Sequence, residues 1–395
     1  METPVESSCP VCGSSSVREI LSMPQMPVFC NVLWDSPEAA IGCARGDIRL
    51  AYCSGCSFLF NAAFDPELVR YTQRYDNCLH FSERFREYAE SLAARLVDRH
   101  QLHDKLVVDV GCGKGDFLKL LCELGPNRGV GYDPSFETRE DIEALGDDIE
   151  IVRDYYSDKF ADHGGDFLCC RHVLEHIQRP GELLAQILGG LGQREGVPVF
   201  LEVPNAAYTI QNVFVWDVIF EHPCYFTGNS LVYLFESNGY EVSEASEEFE
   251  GQYLGIHART KAPGAKAEIA PPVEDPLVRE AAASFSSEFD NLVATWKQEL
   301  DQIGRDNRRA VIWGAGSKGV TFLNLLDPEG RIGYAVDVSP NKKGKFVAGT
   351  GQPIVSADFL LEYRPNDILV MNPVYQAEIA GMVREMGIEA AVRCL

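Results

Sequence analysis

Two stretches, KLVVDVGCGKGDFLKLLCELG beginning at Lys105 and RRAVIWGAGSKGVTFLNLL beginning at Arg308, share one design. Each opens on a short apolar run rich in β-branched residues, passes through three glycines, and continues into an amphipathic helical pattern. Glycine permits the sharp turn, and its missing side chain lets a ligand approach backbone N–H groups at the helix N-terminus. In each case the next apolar run ends in an acid, Asp133 in GVGYD and Asp337 in AVDVSP. That is where a carboxylate would meet ribose hydroxyls. Two strand–turn–helix openings predict an α/β chain with two Rossmann-like units.

The two turns differ. The first, with Gly111, Gly113 and Gly115, carries Asp109 in the preceding strand, and Val-Asp-x-Gly-x-Gly-x-Gly is nearer to the S-adenosylmethionine turn of class I methyltransferases than to the dinucleotide fingerprint. After a helical stretch follow IEIVRDYYSD, DFLCCRHVLEHI and VPVFLEVPN, each with the apolar content of a central parallel strand and polar residues at its carboxyl end, where open α/β sheets bind ligands. Asp154 and Tyr155 are candidates for the adenine side, and Arg171, His172 and His176 for the pocket floor. His172 and His176 are four apart and would share a face on a helix; a metal pair is possible in principle, but no third ligand is evident in the sequence. The second turn, with Gly314, Gly316 and Gly319, fits the dinucleotide fingerprint better. NAD is one reading; a turn that holds a substrate phosphate, or serves only helix packing, is the other, and is favoured because a fold does not fix its ligand.

At 395 residues, with 46% hydrophobic and 24% charged residues, the chain has room for two or three domains with separate cores. A net charge of −24 repels phosphate backbones, and no basic patch offsets it, so nucleic acid is not an expected partner. No apolar run is long enough to span a bilayer and no signal-peptide pattern is seen, so a cytoplasmic location is expected. The thirteen cysteines then read as metal ligands and buried thiols. Cys9 and Cys12 in CPVC and Cys53 and Cys56 in CSGC supply four thiolates for zinc, with Cys30 or Cys43 as possible replacements. From Asp65 to Asp98 the sequence is helix-forming, TKAPGAKAEIAPPVED from Thr260 reads as a linker, and a long amphipathic helix is expected over roughly Leu277 to Ile303. The expected domains are residues 1–70, 71–262 and 263–395.

One stretch stands apart. VWDVIFEHPCYF, Val215 to Phe226, sets Glu221 and His222 side by side among apolar and aromatic neighbours, just beyond the strand LEVPN. Such a pair is more often structural than catalytic. Its place beyond a strand's carboxyl edge, beside the expected cofactor, shifts the reading toward function.

Through CPVC and CSGC, VDVGCGKGDF, HVLEHI, FEHPCYF, and WGAGSKG with AVDVSP, in that order, the chain resembles the nucleotide-sugar C-methyltransferases of deoxysugar biosynthesis. The resemblance implies an N-terminal zinc-binding domain, a central class I methyltransferase Rossmann-like domain and a C-terminal Rossmann-like domain that binds substrate. It implies S-adenosylmethionine and structural zinc as cofactors, and a 4-keto-6-deoxy sugar on a nucleoside diphosphate as substrate. Glu221 and His222 match the family's catalytic pair, His222 being the base that forms an enolate, and His176 matches a further family histidine. Tyr225 and Asn205 are placed near the substrate, and Ser317 and Lys318 near its diphosphate. The family has a tyrosine where this chain has Ile219, which leaves the acceptor atom open. O- or N-methylation, or a zinc-containing protein that binds S-adenosylmethionine only as a structural ligand, are the competing readings. The sugar, its nucleotide and the oligomeric state are not legible.

Overall fold

The computed structural model describes residues 8–69, 75–76, 80–136, 145–264, 269–327 and 330–395. Three sheets organise them. The first begins with β1 (Val17–Pro27) and β2 (Arg45–Cys53), an antiparallel pair flanked by the two cysteine knuckles, and adds β3 (Leu59–Asn61) antiparallel to β2. Its fourth strand comes from far along the chain: β9 (Cys224–Tyr225) pairs with β3 through Leu59 opposite Tyr225 and Phe60 opposite Cys224.

The central sheet has seven strands in the order β10–β11–β8–β7–β4–β5–β6. β4 (Leu106–Val110), β5 (Arg128–Tyr132), β6 (Ile149–Val152), β7 (Phe167–Arg171) and β8 (Pro198–Pro204) are parallel; β11 (Tyr253–Thr260) runs antiparallel to β8 and pairs with β10 (Tyr240–Glu248). Helices cover both faces, which explains why β4 and β7 are apolar along nearly their whole length rather than alternating. The strand order turns around between β4 and β7, and a crevice opens there at the carboxyl ends. The helical stretch expected after Asp133 falls largely on residues 137–144, outside the described residues.

Among the described residues of the helical segment expected from Asp65, the α-helix lies in the second half: Asp65 caps a single 3₁₀ turn, Pro66–Leu68, and residues 70–74 and 77–79 lie outside the described residues. The helix is Glu83–His100, capped by Ser82 and ended by Gln101 in the left-handed region. His172 and His176 do not share a helix. β7 stops at Arg171, His172 takes φ 56°, and the chain makes only a 3₁₀ turn, Leu174–His176, which sends the two rings in different directions.

The third sheet is fully parallel, in the order β14–β13–β12–β15–β16, with β12 (Ala310–Trp313) central between β13 (Tyr334–Val336) and β15 (Asp367–Val370), and β14 (Ile354–Val355) and β16 (Ala391–Cys394) at its edges. The long helix runs Pro276–Arg305, with Asp275 accepting from the N–H groups of Leu277 and Val278. The end of the expected linker is docked: the Tyr52 hydroxyl donates to Glu274 at 2.8 Å, and the Asp275 N–H donates to Ser57 Oγ at 2.7 Å.

One apolar cluster joins the first and third sheets through the segment Phe214–Phe220. The fully buried Trp216 ring lies 5.2 Å from Phe322, and a Cβ on Gly46 would sit 2.2 Å from the Phe220 ring. The apolar residues of VWDVIFEHPCYF are thus core, and they anchor the polar pair at their end.

His100 Nε2 lies 3.4 Å from His257 Nδ1 beside Phe167 and Phe200. Burial, reinforced in His100 by the facing His257, pushes both pKa values down to about 4. The folded state therefore favours neutral rings, and the stability they contribute is present above the ordinary histidine value and is lost as pH falls from about 6.5 toward 4. We expect the melting temperature to drop across that window, and to drop less in a His100→Gln/His257→Gln variant, as differential scanning calorimetry at stepped pH will show.

Candidate active site

The turn after β4 holds Gly111, Gly113 and Gly115 at φ 72°, 54° and 82°. A Cβ on Gly111 would lie 2.2 Å from Val173 and one on Gly115 would lie 2.8 Å from Leu145, whereas Gly113 has nothing within 4 Å and faces open space. Gly115 starts the helix Asp116–Leu124 with no side-chain cap. That leaves its first N–H groups for a ligand. Asp133, at the end of β5, accepts from the Gly113 N–H at 2.9 Å and from the Ser135 N–H at 2.8 Å. Asp109 is buried beneath the turn, and burial pushes its carboxyl up to about 6. Asp154 and Tyr155 follow β6 at the surface: Asp154 pairs with Lys159, and Tyr155 is 70% exposed. The crevice therefore offers an uncapped helix end, an acid at the second strand and room at Gly113, a set that fits the adenosyl and amino-acid portions of S-adenosylmethionine.

Arg171 and His172 meet a residue that the sequence reading missed. Glu202, fully buried in β8, accepts from Arg171 at 2.8 and 3.0 Å, from the Tyr88 hydroxyl, and lies 2.9 Å from His172 Nε2. Burial alone would favour the protonated acid, but Arg171 and His172 outweigh it and hold Glu202 down to about 2. Burial likewise opposes a charge on His172, and Glu175 and Glu202 overcome it, raising the imidazole to about 9. Arg171 also stacks on Phe117, 4.0 Å from the ring centroid. The available signal was one glutamate inside the otherwise apolar run VFLEVP.

The loop after β8 brings Glu221, His222 and His176 together. The His176 and His222 rings stand edge to face with centroids 4.6 Å apart, and His176 Nδ1 lies 3.0 Å from the Glu221 carbonyl oxygen. That contact makes Nδ1–H the donor and leaves Nε2 as the ring's other nitrogen, free of that bond. The His222 pKa is lowered well below the ordinary value, first by burial and then by the positive charges of His176, His172 and Lys318. Burial raises the Glu221 carboxyl, opposed by His176 and by the Cys30 N–H, which donates to Oε2 at 2.8 Å. Two candidates brace this loop: the Tyr225 hydroxyl bonds both N–H and C=O of Ile219, and Asn205 caps the helix Ala206–Gln211 while donating to the Gly251 carbonyl.

The C-terminal turn reaches the same loop. Lys318 Nζ is 2.5 Å from Asp217 Oδ1, and Ser317 is the first residue of the helix Ser317–Leu326. A Cβ on Gly319 would sit 2.1 Å from the Gly314 carbonyl oxygen, so that glycine is required for close packing of turn and helix. Asp337 accepts from the Ala315 N–H at 2.9 Å and pairs at 3.5 Å with Lys342, which is itself buried. The acid that a dinucleotide ribose would need is thus already matched by a lysine.

The knuckles come together as the spacing predicts. Cys9 Sγ lies 3.7 Å from Cys56 Sγ and Cys12 Sγ 3.6 Å from Cys53 Sγ, with all four sulfurs within 4.8 Å of one another. Zinc with Zn–S bonds of about 2.3 Å needs tetrahedral S···S edges of roughly 3.8 Å, so the set fits that ion. Cys30 lies instead beside Glu221, and neither it nor Cys43 joins the cluster. None of the twelve described cysteines is in a disulfide.

Residues 80–245 match the family described as methyltransferase domain. With the sheet order and the glycine turn, this defines an S-adenosylmethionine-dependent methyltransferase. Residues 268–391 match the family described as C-methyltransferase C-terminal domain, and the C-methyltransferase NovU of Streptomyces niveus is 24% identical over 401 residues, covering 95% of this chain and 92% of that one. Over nearly its whole length the chain is thus similar to a C-methyltransferase. A shorter likeness, 32% over 124 residues, links 28% of this chain to 39% of a tRNA U34 carboxymethyltransferase of Sulfurimonas denitrificans. Among solved structures, the 1,6-didemethyltoxoflavin-N1-methyltransferase of Burkholderia thailandensis aligns with 45% of this chain and 81% of its own at 17% identity and a TM-score of 0.35. No described helix is long and apolar enough to cross a membrane.

Proposed function

We propose that the enzyme methylates a carbon next to the ketone of a nucleoside diphosphate-linked keto-deoxysugar. The observation that carries this reading is the pairing of a neutral, partly buried His222 with His176 at the carboxyl edge of the central sheet. A carbon beside a ketone is not nucleophilic until its proton is removed, and an imidazole kept unprotonated is suited to removing it. In this reading His222 takes the proton, the C–H electron pair forms the enolate double bond, and the negative charge moves to the carbonyl oxygen. His176 is the donor to that oxygen. Glu221 favours the charged state of the histidine pair, and Lys318 with Ser317 faces the diphosphate, phosphate oxygens competing with Asp217 for the ammonium. The bound cofactor supplies an electrophilic methyl group, which the enolate carbon accepts.

The test is incubation with S-adenosylmethionine and a panel of nucleotide-linked keto sugars, followed by mass spectrometry. A gain of one methyl on carbon supports the reading; methylation on oxygen or nitrogen without solvent deuterium exchange at carbon rejects it. Asp133 is assigned to the ribose. Asp133→Ala is expected to weaken S-adenosylmethionine binding by about tenfold or more, consistent with one or two hydrogen bonds to a charged acceptor, while leaving the melting profile close to the parent's. Titration calorimetry showing unchanged affinity would move the ribose elsewhere.

A further inference from the structure

Three side chains at the catalytic loop form a set that proton transfer alone does not explain. Glu175, His176 and His222 each present one ligand atom, and these atoms lie within 4.8 Å of one another. Glu175 is 2% exposed, and its Oε2 has no hydrogen-bond partner. An unsatisfied buried carboxylate oxygen is costly, so its persistence next to two imidazoles calls for an occupant. His176 already has the arrangement that metal-binding histidines adopt: Nδ1–H is held by the Glu221 carbonyl at 3.0 Å, which orients the ring and frees Nε2. Glu175 is steadied from behind by His172, 3.7 Å from Oε1.

We propose that Glu175, His176 and His222 constitute a second metal site, selective for divalent transition ions such as Zn²⁺ or Co²⁺, and that its occupation silences the enzyme. Two imidazoles and a carboxylate are the ligands such ions take, in contrast to the closed four-thiolate cluster. Ligand bonds of about 2.0–2.2 Å require donor–donor edges near 3.4 Å, so the ion draws the three groups inward. Three protein ligands leave a coordination position open. The lone pair that His222 would use to accept a proton is the one it would give to the metal, so occupation and enolate formation exclude each other. The inhibitory half of the proposal rests on the assignment of His222 as base, whereas binding does not.

The experiment uses the full chain with its thiolate-bound zinc retained. Cobalt(II) is titrated in, with equilibrium dialysis and metal analysis counting ions, and visible absorption reporting nitrogen and oxygen ligation without thiolate charge transfer. The expected result is one further equivalent, weakened at least about tenfold in Glu175→Gln and in His176→Gln, by analogy with the loss seen on removing even outer-sphere ligands. Parent-like S-adenosylmethionine affinity checks that both variants are folded. Turnover should fall in proportion to occupancy and return when a mild chelator removes the second ion alone. Absence of a second equivalent, or binding undiminished in both variants, overturns the site. Since proton exchange by the metal-free enzyme is scored separately, that failure leaves the base assignment standing. Stoichiometric binding with undiminished turnover overturns the inhibitory role.

Discussion

Turnover of His222→Gln is expected to fall by roughly 10²- to 10⁴-fold, the range associated with a positioned acid–base group. Folding should survive the change, because the His222 ring makes no side-chain hydrogen bond to the described residues and its neighbours, His176 and Tyr225, meet it only through ring contacts. Glutamine keeps much of the volume and polarity but cannot accept the proton. The same variant should lose enzyme-dependent exchange of the substrate's α-carbon proton with solvent deuterium, an assay that isolates deprotonation from methyl transfer. Exchange at the parent rate would remove His222 from the role and make His176, 4.6 Å away between ring centroids, the next residue to replace.

Loss of a zinc thiolate is expected to have the largest effect on stability. Structural zinc sites bind with apparent free energies of roughly 10–16 kcal/mol, and that energy is available to the fold only while four ligands close the site. Cys56→Ser should therefore purify with less than one zinc per chain and a lowered melting temperature. It should also lose turnover more steeply than S-adenosylmethionine affinity, since the cofactor crevice is built on β4 and β5, whereas the loop bearing Glu221 and His222 continues into β9 and pairs with β3. Metal analysis, calorimetry and cofactor titration on one preparation separate these effects; stoichiometric zinc in Cys56→Ser would reject the ligand set.

The parts of this arrangement that were legible in the sequence are those fixed by local chemistry. Glycines at positive φ and cysteines three positions apart announce themselves because few other residues suit a left-handed turn or a thiolate knuckle. The segment Val215–Phe226 was recognisable as a polar pair in an apolar run. Its geometry was not, because a two-residue strand has no periodicity of its own and β9 exists only through its partner β3. Glu202 and Glu175 were missed for a related reason. A buried carboxylate makes sense only beside its counter-charges, and Arg171, His172 and Tyr88 reach Glu202 from other elements. The spacing of four between His172 and His176 did not reveal their arrangement, because it is equally compatible with a left-handed residue followed by a 3₁₀ turn.

The pairing of β9 with β3 also bears on how such an enzyme can be divided or recombined. Residues 80–245, the stretch that matches the methyltransferase domain, contain the cofactor crevice, His176, Glu221 and His222, and so look like a portable catalyst. Yet the backbone partner of the strand just after His222 is Leu59–Phe60, outside that stretch, and the core beneath the loop is shared with Phe322 from the far side of the chain. An excised central segment would carry the glycine turn as a self-contained piece and the proposed base, His222, as a borrowed one. Exchanging the central segment between relatives is therefore expected to transplant methyl-donor binding, while the placement of His222 would still be set by the recipient's flanking regions.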